Sequence, residues 1–174
     1  MIETLEHRVV FENDFMTVWD NRVLFPDGRE GTYLRTRWKA PHGVVIVPLI
    51  GQRILLLHNY RYQEDALALE LPQGFGTDGS TPAEDAAREL LEETGLVADS
   101  LEPILSLGRD YQTHLFLARI PETSLVRHGD QEATEAIAGH EFWPVESITL
   151  TRLADAGICD PMTIVGLMAA RDLI

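Results

Sequence analysis

Apolar and polar residues change rhythm along the chain, and the changes mark its elements. Phe15 to Phe25 (FMTVWDNRVLF) and Thr32 to Trp38 (TYLRTRW) read as strands flanking Pro26-Asp27-Gly28, a turn sequence, so a hairpin is expected. Gly43 to Ile50 (GVVIVPLI) and Arg53 to Tyr60 (RILLLHNY) are continuous apolar runs joined by Gly51-Gln52, as expected of strands buried on both faces. Ala66 to Leu71 is a weaker third run, and Leu71 to Ser80 (LPQGFGTDGS) is glycine-rich enough to read as a shaped loop. A helix follows: Thr81 suits the N-cap, Pro82 the first helical position, Glu84 completes a capping box, and Gly95 stops it. Ala83, Ala86, Ala87, Leu90 and Leu91 recur at helical spacing and pin this helix onto a sheet.

Strands resume at Ser100 to Leu107, His114 to Ala118 and Glu141 to Val145, with Pro121 to Gly139 expected as a long loop of functional kind. Helices near Ile148 to Ala156 and from Asp160-Pro161 onward complete the pattern. Sheets early, one helix in the middle and helices late predict a mixed α/β layer structure with antiparallel hairpins. No repeat, low-complexity tract or linker divides the chain, so residues 1–174 are expected to form one domain.

Composition narrows the partners. Fourteen Lys and Arg stand against 28 Asp and Glu, a formal charge of −14, and 45% of residues are hydrophobic, enough for a real core. Such a field repels a phosphate backbone, which argues against nucleic-acid binding, and attracts divalent cations. No run approaches the roughly 20 apolar residues of a membrane-spanning helix, and the acidic start (Glu3, Glu6) does not read as a secretory signal. Cys159 is the single cysteine and is expected as buried filler; a reducing, cytoplasmic setting follows.

The chemistry concentrates in Arg88-Glu89-Leu90-Leu91-Glu92-Glu93. Glu89 and Glu93 are four apart, so they project from nearly one face about 6 Å apart along the axis, with Glu92 three from Glu89. Three crowded carboxylates repel one another, and a hard Mg²⁺ or Mn²⁺ relieves that repulsion while keeping waters of its own. The alternative is a solvated acidic face. Arg88, able to reach Glu92 or Glu84, and the glycine loop directly before the helix favour the cation.

From Gly74 to Leu96 these residues resemble the Nudix hydrolase signature. The sequence runs Gly74-FGTDG-Ser80-TPAEDAA-Arg88-Glu89-Leu90-Leu91-Glu92-Glu93-Thr94-Gly95-Leu96, departing at Ser80, where the signature has glutamate. Val10-Phe11-Glu12-Asn13, the hairpin at Phe25 to Gly28, Tyr60-Arg61-Tyr62 and Glu70 to Gly74 are similar to the ADP-ribose pyrophosphatase branch. The resemblance implies a Nudix-type α/β/α sandwich with a mixed sheet, residues 1–40 forming a β extension and 41–174 the catalytic core. It implies that Glu89, Glu93 and the Gln73 carbonyl ligate Mg²⁺ or Mn²⁺, with Glu92 in the same cluster and Arg88 orienting the glutamates. Arg61 and Gly74 then meet the substrate, and Glu135 or Glu132, with Glu135 preferred, is the general base. Implied too are a nucleoside diphosphate linked to another moiety as substrate, ADP-ribose or a nucleotide sugar, and a homodimer exchanging amino-terminal strands. A Ser-Pro-Gly loop of that branch is lacking: Leu107 to Gln112 (LGRDYQ) stands before His114.

Two other classes compete. Ser80 in place of the signature glutamate is compatible with a sensor that binds a nucleotide without cleaving it. Gly74, Gly76 and Gly79 form a literal GxGxxG, but no alternating βαβ series follows as a dinucleotide-binding oxidoreductase requires. Lysine is missing for a P-loop, and His140-Glu141 meets Pro144 where a zinc protease has its second histidine.

Overall fold

The computed structural model describes residues 1–124 and 136–174. They form strands β1 (Glu3–Glu6), β2 (Val9–Glu12), β3 (Met16–Leu24), β4 (Glu30–Trp38), β5 (Gly43–Ile50), β6 (Arg53–Arg61), β7 (Ala66–Glu70) and β8 (Gln73–Phe75). Helix α1 (Pro82–Thr94) is followed by β9 (Ser100–Leu107), β10 (Thr113–Ile120), β11 (Ile137–Pro144), α2 (Leu150–Asp155) and α3 (Pro161–Leu173). A 3₁₀ turn at Val145–Ser147 leads into α2.

Two sheets divide the strands. In the first, β3 pairs with β4 across the expected hairpin and with β1 and β2 along its other edge. The second has the order β11-β6-β5-β10-β9, with β7 on β6 and β8 on β5. It is mixed, because β10 runs parallel to β5 while its other pairings are antiparallel.

The central strands explain the sandwich. On β5, Val45, Val47 and Leu49 face one apolar cluster with Leu153, Leu167 and Ala170 of α2 and α3. Val44, Ile46 and Ile50 face a second cluster with Ala86 and Leu90 of α1. Strands β6 and β10 divide the same way, Leu56 and Leu117 to one side, Leu57 and Phe116 to the other. A period of two on three apolar strands thus buries both faces between helices. Residues 1–42 contribute to neither cluster.

Three expectations change. The Leu71 to Ser80 loop contains β8, because β6 pairs with β5 only at Leu49 and Ile50. The rest of that β5 edge is satisfied by the Pro72 carbonyl, which accepts from the Ile46 amide at 2.8 Å, and by β8. The Pro121 to Gly139 loop gives way to β11 at Ile137, which extends the ladder to Asn59. Cys159 is exposed, not buried; its neighbour Ile158 takes the core position between α2 and α3. No helix among the described residues is long and apolar enough to cross a membrane.

Candidate active site

Local rules place the acidic stripe. The Thr81 hydroxyl accepts from the Glu84 amide at 3.3 Å, and the Glu84 carboxylate accepts from the Thr81 amide at 2.7 Å, so both members of the capping box are present. Gly95, at φ 68°, ends α1 with its amide donating to the Leu91 carbonyl at 2.8 Å. Between these caps Asp85, Glu89 and Glu93 form an i, i+4, i+8 stripe beside the stripe of Ala86, Leu90 and Thr94, and all six are buried. Anchoring of the apolar stripe in the core carries the acidic stripe inward with it.

Strand β8 meets that stripe. The Gln73 amide donates to Glu93 Oε2 at 3.0 Å. Gly74 lies so close to Glu89 that a Cβ there would stand 2.1 Å from its carboxylate, so only glycine admits this approach. Both carboxylates therefore rest against the Gln73-Gly74 main chain. Arg88 links Glu89 to the loop: its guanidinium donates to Glu92 at 2.7 Å, Glu89 at 2.8 Å, the Phe75 carbonyl at 2.9 Å and Asp85 at 3.3 Å. Burial acts to lower its pKa, but Glu89 and Glu92 outweigh it and raise it further. The alternative partner Glu84 is engaged by Thr81 instead.

Asp85 and His42 were not singled out from the sequence. Asp85 is 1% exposed and accepts from the Thr77 amide at 3.1 Å, while His42 Nε2 lies 2.9 Å from its carboxylate. Burial pushes the Asp85 carboxyl up, yet the Thr77, His42 and Arg88 contacts hold it below the ordinary carboxylate value. The period-of-four spacing of 85, 89 and 93 could have revealed Asp85; nothing local points to His42, 43 residues away.

The cleft above this floor has a volume of about 1260 Å³. Trp38, Phe75 and Tyr111 line one side, the first pair with ring centroids 5.2 Å apart and the second 6.4 Å apart. The Tyr111 hydroxyl is buried without a hydrogen-bond partner among the described residues, and burial pushes its pKa up to about 12. On the other side, Arg61 is held by Glu70, its Nε donating to both carboxylate oxygens at 3.0 Å; Gln73 also donates to Glu70, at 3.2 Å. Asp65, beyond the end of β6, accepts from the Tyr60 hydroxyl at 2.8 Å. Cys159 lines the cleft beside Asp160.

Of the expected residues, Arg61, Gln73, Gly74, Arg88, Glu89 and Glu93 thus line one cleft. Glu92 is turned toward Arg88, and Glu132 and Glu135 lie outside the described residues. Among the described residues no three His, Cys, Asp or Glu side chains converge on one point. Two buried carboxylates and a main-chain edge still fit a hard dication, which takes oxygen donors and keeps several waters.

Comparison with known proteins decides the family. The model of the NUDIX domain matches residues 39–158, more than half of the chain. The chain belongs to the Nudix family. Similar proteins include the CMP-5'-(N-acetyl-N-hydroxy-3-aminopropyl)phosphonate hydrolase of Streptomyces rubellomurinus, 32% identical over 136 residues, 74% of this chain and 63% of that one. The methanol dehydrogenase activator of Bacillus methanolicus is 25% identical over 123 residues, 67% of this chain and 65% of its own. This Nudix chain therefore spans about two thirds or less of the curated relatives it matches. Among solved structures, an ADP compounds hydrolase superposes with TM-score 0.82 at 21% identity, covering 99% of this chain and 93% of that one. The match reaches the whole mixed α/β architecture, the β1–β4 sheet included.

Proposed function

We propose that this Nudix protein hydrolyses the pyrophosphate bond of a nucleoside diphosphate linked to a second moiety, releasing a nucleoside monophosphate and a phosphorylated partner. One observation carries the reading: Glu89 and Glu93, buried a turn apart, both abut the Gln73-Gly74 main chain at the floor of a ligand-sized cleft. Glu89, Glu93 and the Gln73 carbonyl would hold Mg²⁺ or Mn²⁺, with Glu92 assisting. Such an ion supplies charge neutralisation across the diphosphate and a lowered pKa for water. Arg88 orients Glu89 and Glu92. Arg61, positioned by Glu70, meets a phosphate oxygen. Glu135, or Glu132, takes the proton of the attacking water as its oxygen bonds to phosphorus and the bridging P–O bond breaks, the electron pair leaving on the departing phosphate.

ADP-ribose or a nucleotide sugar is the preferred substrate class. One relative is named for ADP compounds and another for a CMP-linked phosphonate, which supports a nucleotide in common and leaves the base variable. We assign residues 41–174 to the catalytic core and 1–40 to a β extension of the same domain, and the functional unit to a homodimer. In the extension Val9, Phe11, Phe15, Tyr33 and Leu34 are at least half exposed, which supports a second copy as their cover.

The test is phosphate-ester release from a panel of nucleoside diphosphate conjugates with Mg²⁺, comparing wild type with Glu93→Gln. Wild type should turn over at least one member and the variant should lose about 10²-fold or more, as loss of a charged transition-state stabiliser does. Equal inertness of the two would favour the second reading, a nucleotide sensor, for which Ser80 in the signature is the supporting feature.

A further inference from the structure

We propose that the buried His42–Asp85 pair is a positioning device for the metal-binding floor: it ties the glycine loop to α1 so that Arg88 presents Glu89 beside Gly74. The proposal rests on the functional reading above and adds two residues to it.

The contacts form a closed path. The Gly76 amide donates to the His42 carbonyl at 2.8 Å, and a Cβ at Gly76 would stand 2.4 Å from the His42 ring, so ring and loop are in direct contact. Nε2 of that ring lies 2.9 Å from Asp85 Oδ2, which also accepts from the Thr77 amide at 3.1 Å. The other oxygen, Oδ1, accepts from Arg88 at 3.3 Å, and the same Arg88 nitrogen reaches Glu89 and the Phe75 carbonyl. His42 precedes β5 and Asp85 sits in α1, so the pair joins the start of β5, the glycine loop and α1. Its burial is costly for a carboxylate unless each oxygen is satisfied, and here each is. Ser80, where the signature has glutamate, leaves the loop without that carboxylate; Asp85 supplies one to the loop from α1. Arg88 chooses among Asp85, Glu89 and Glu92, so removing the Asp85 contact or its His42 support frees the guanidinium to pull Glu89 away from Gly74.

His42→Ala and Asp85→Asn test this, with Thr81→Ala as a control that weakens the helix cap without touching the path. Two quantities are read at a temperature where circular dichroism finds each variant folded: Mn²⁺ affinity by calorimetry without nucleotide, and kcat and KM on the best substrate. Both variants should lose about 10- to 100-fold in Mn²⁺ affinity and in kcat, with KM nearly unchanged, as outer-shell partners of a metal site do, while Thr81→Ala retains wild-type values. If His42→Ala does not fold, the isosteric Asp85→Asn decides. Wild-type affinity and kcat in folded Asp85→Asn overturn the proposal. Weaker Mn²⁺ binding by the variants in a protein that cleaves nothing would sink the hydrolase reading while leaving the positioning role intact.

Discussion

Gly74 shows how much of the site rests on one missing methyl. With a Cβ 2.1 Å from the Glu89 carboxylate, Gly74→Ala must displace either β8 or the carboxylate. We predict a fall in kcat of at least about tenfold, of the size that disturbed metal-site support brings, measured with saturating Mg²⁺. Asp85 carries a separate prediction about pH. Its folded pKa lies below the ordinary 3.8, so its ionised form adds stability that is present above about pH 4 and is lost as pH falls through the folded value. The stability gap between wild type and Asp85→Asn should therefore narrow from about pH 5 to about pH 3, read from urea midpoints. A constant gap would mean that the Asp85 charge contributes nothing. Residues placed by their neighbours in sequence were legible: Glu89 and Glu93 share one buried face of α1, as their spacing predicts. Residues that meet only through space were not: His42 reaches Asp85 through the packing of α1 beside β5, and the Glu70 clasp on Arg61 comes from the β6–β7 pairing, neither of which a local pattern reveals.

At the scale of elements, α1 was read to its ends because its boundary signals are local: Thr81, Pro82, Glu84 and Gly95 lie within the helix or next to it. Removing the cap isolates that contribution. Thr81→Ala should cost about 1 kcal/mol, and the melting temperature should drop about 2–4 °C. Truncation of the buried face is harsher: Leu90, 1% exposed, should cost about 2–5 kcal/mol as Leu90→Ala. Scanning calorimetry reads both, and similar losses would mean that α1 is not held by its apolar stripe. Strand β8 escaped the sequence because its cause is distant: β6 leaves the β5 edge open, and only then do Gln73 to Phe75 acquire a partner. The start of β11 at Ile137 was missed likewise, since its strand character comes from pairing with Asn59.

For the whole molecule, the layer order was legible in the unbroken apolar run Val44 to Ile50, which serves both clusters. The amino-terminal sheet was only partly so, because β1 and β2 are short and exposed throughout. Its uncovered apolar residues predict association: light scattering should give twice the 19.5 kDa of one chain, and Leu34→Asp should shift the mass toward one chain. A single-chain mass for wild type at micromolar concentration would contradict the dimer. With a formal charge of −14 the molecule attracts dications generally, so the decisive question is where one is held. Crystals grown with Mn²⁺ and a nonhydrolysable nucleoside diphosphate conjugate answer it directly by anomalous scattering. The account predicts a peak bounded by Glu89, Glu93 and the Gln73 carbonyl with the diphosphate against it; density for the nucleotide with no Mn²⁺ at those glutamates would contradict it.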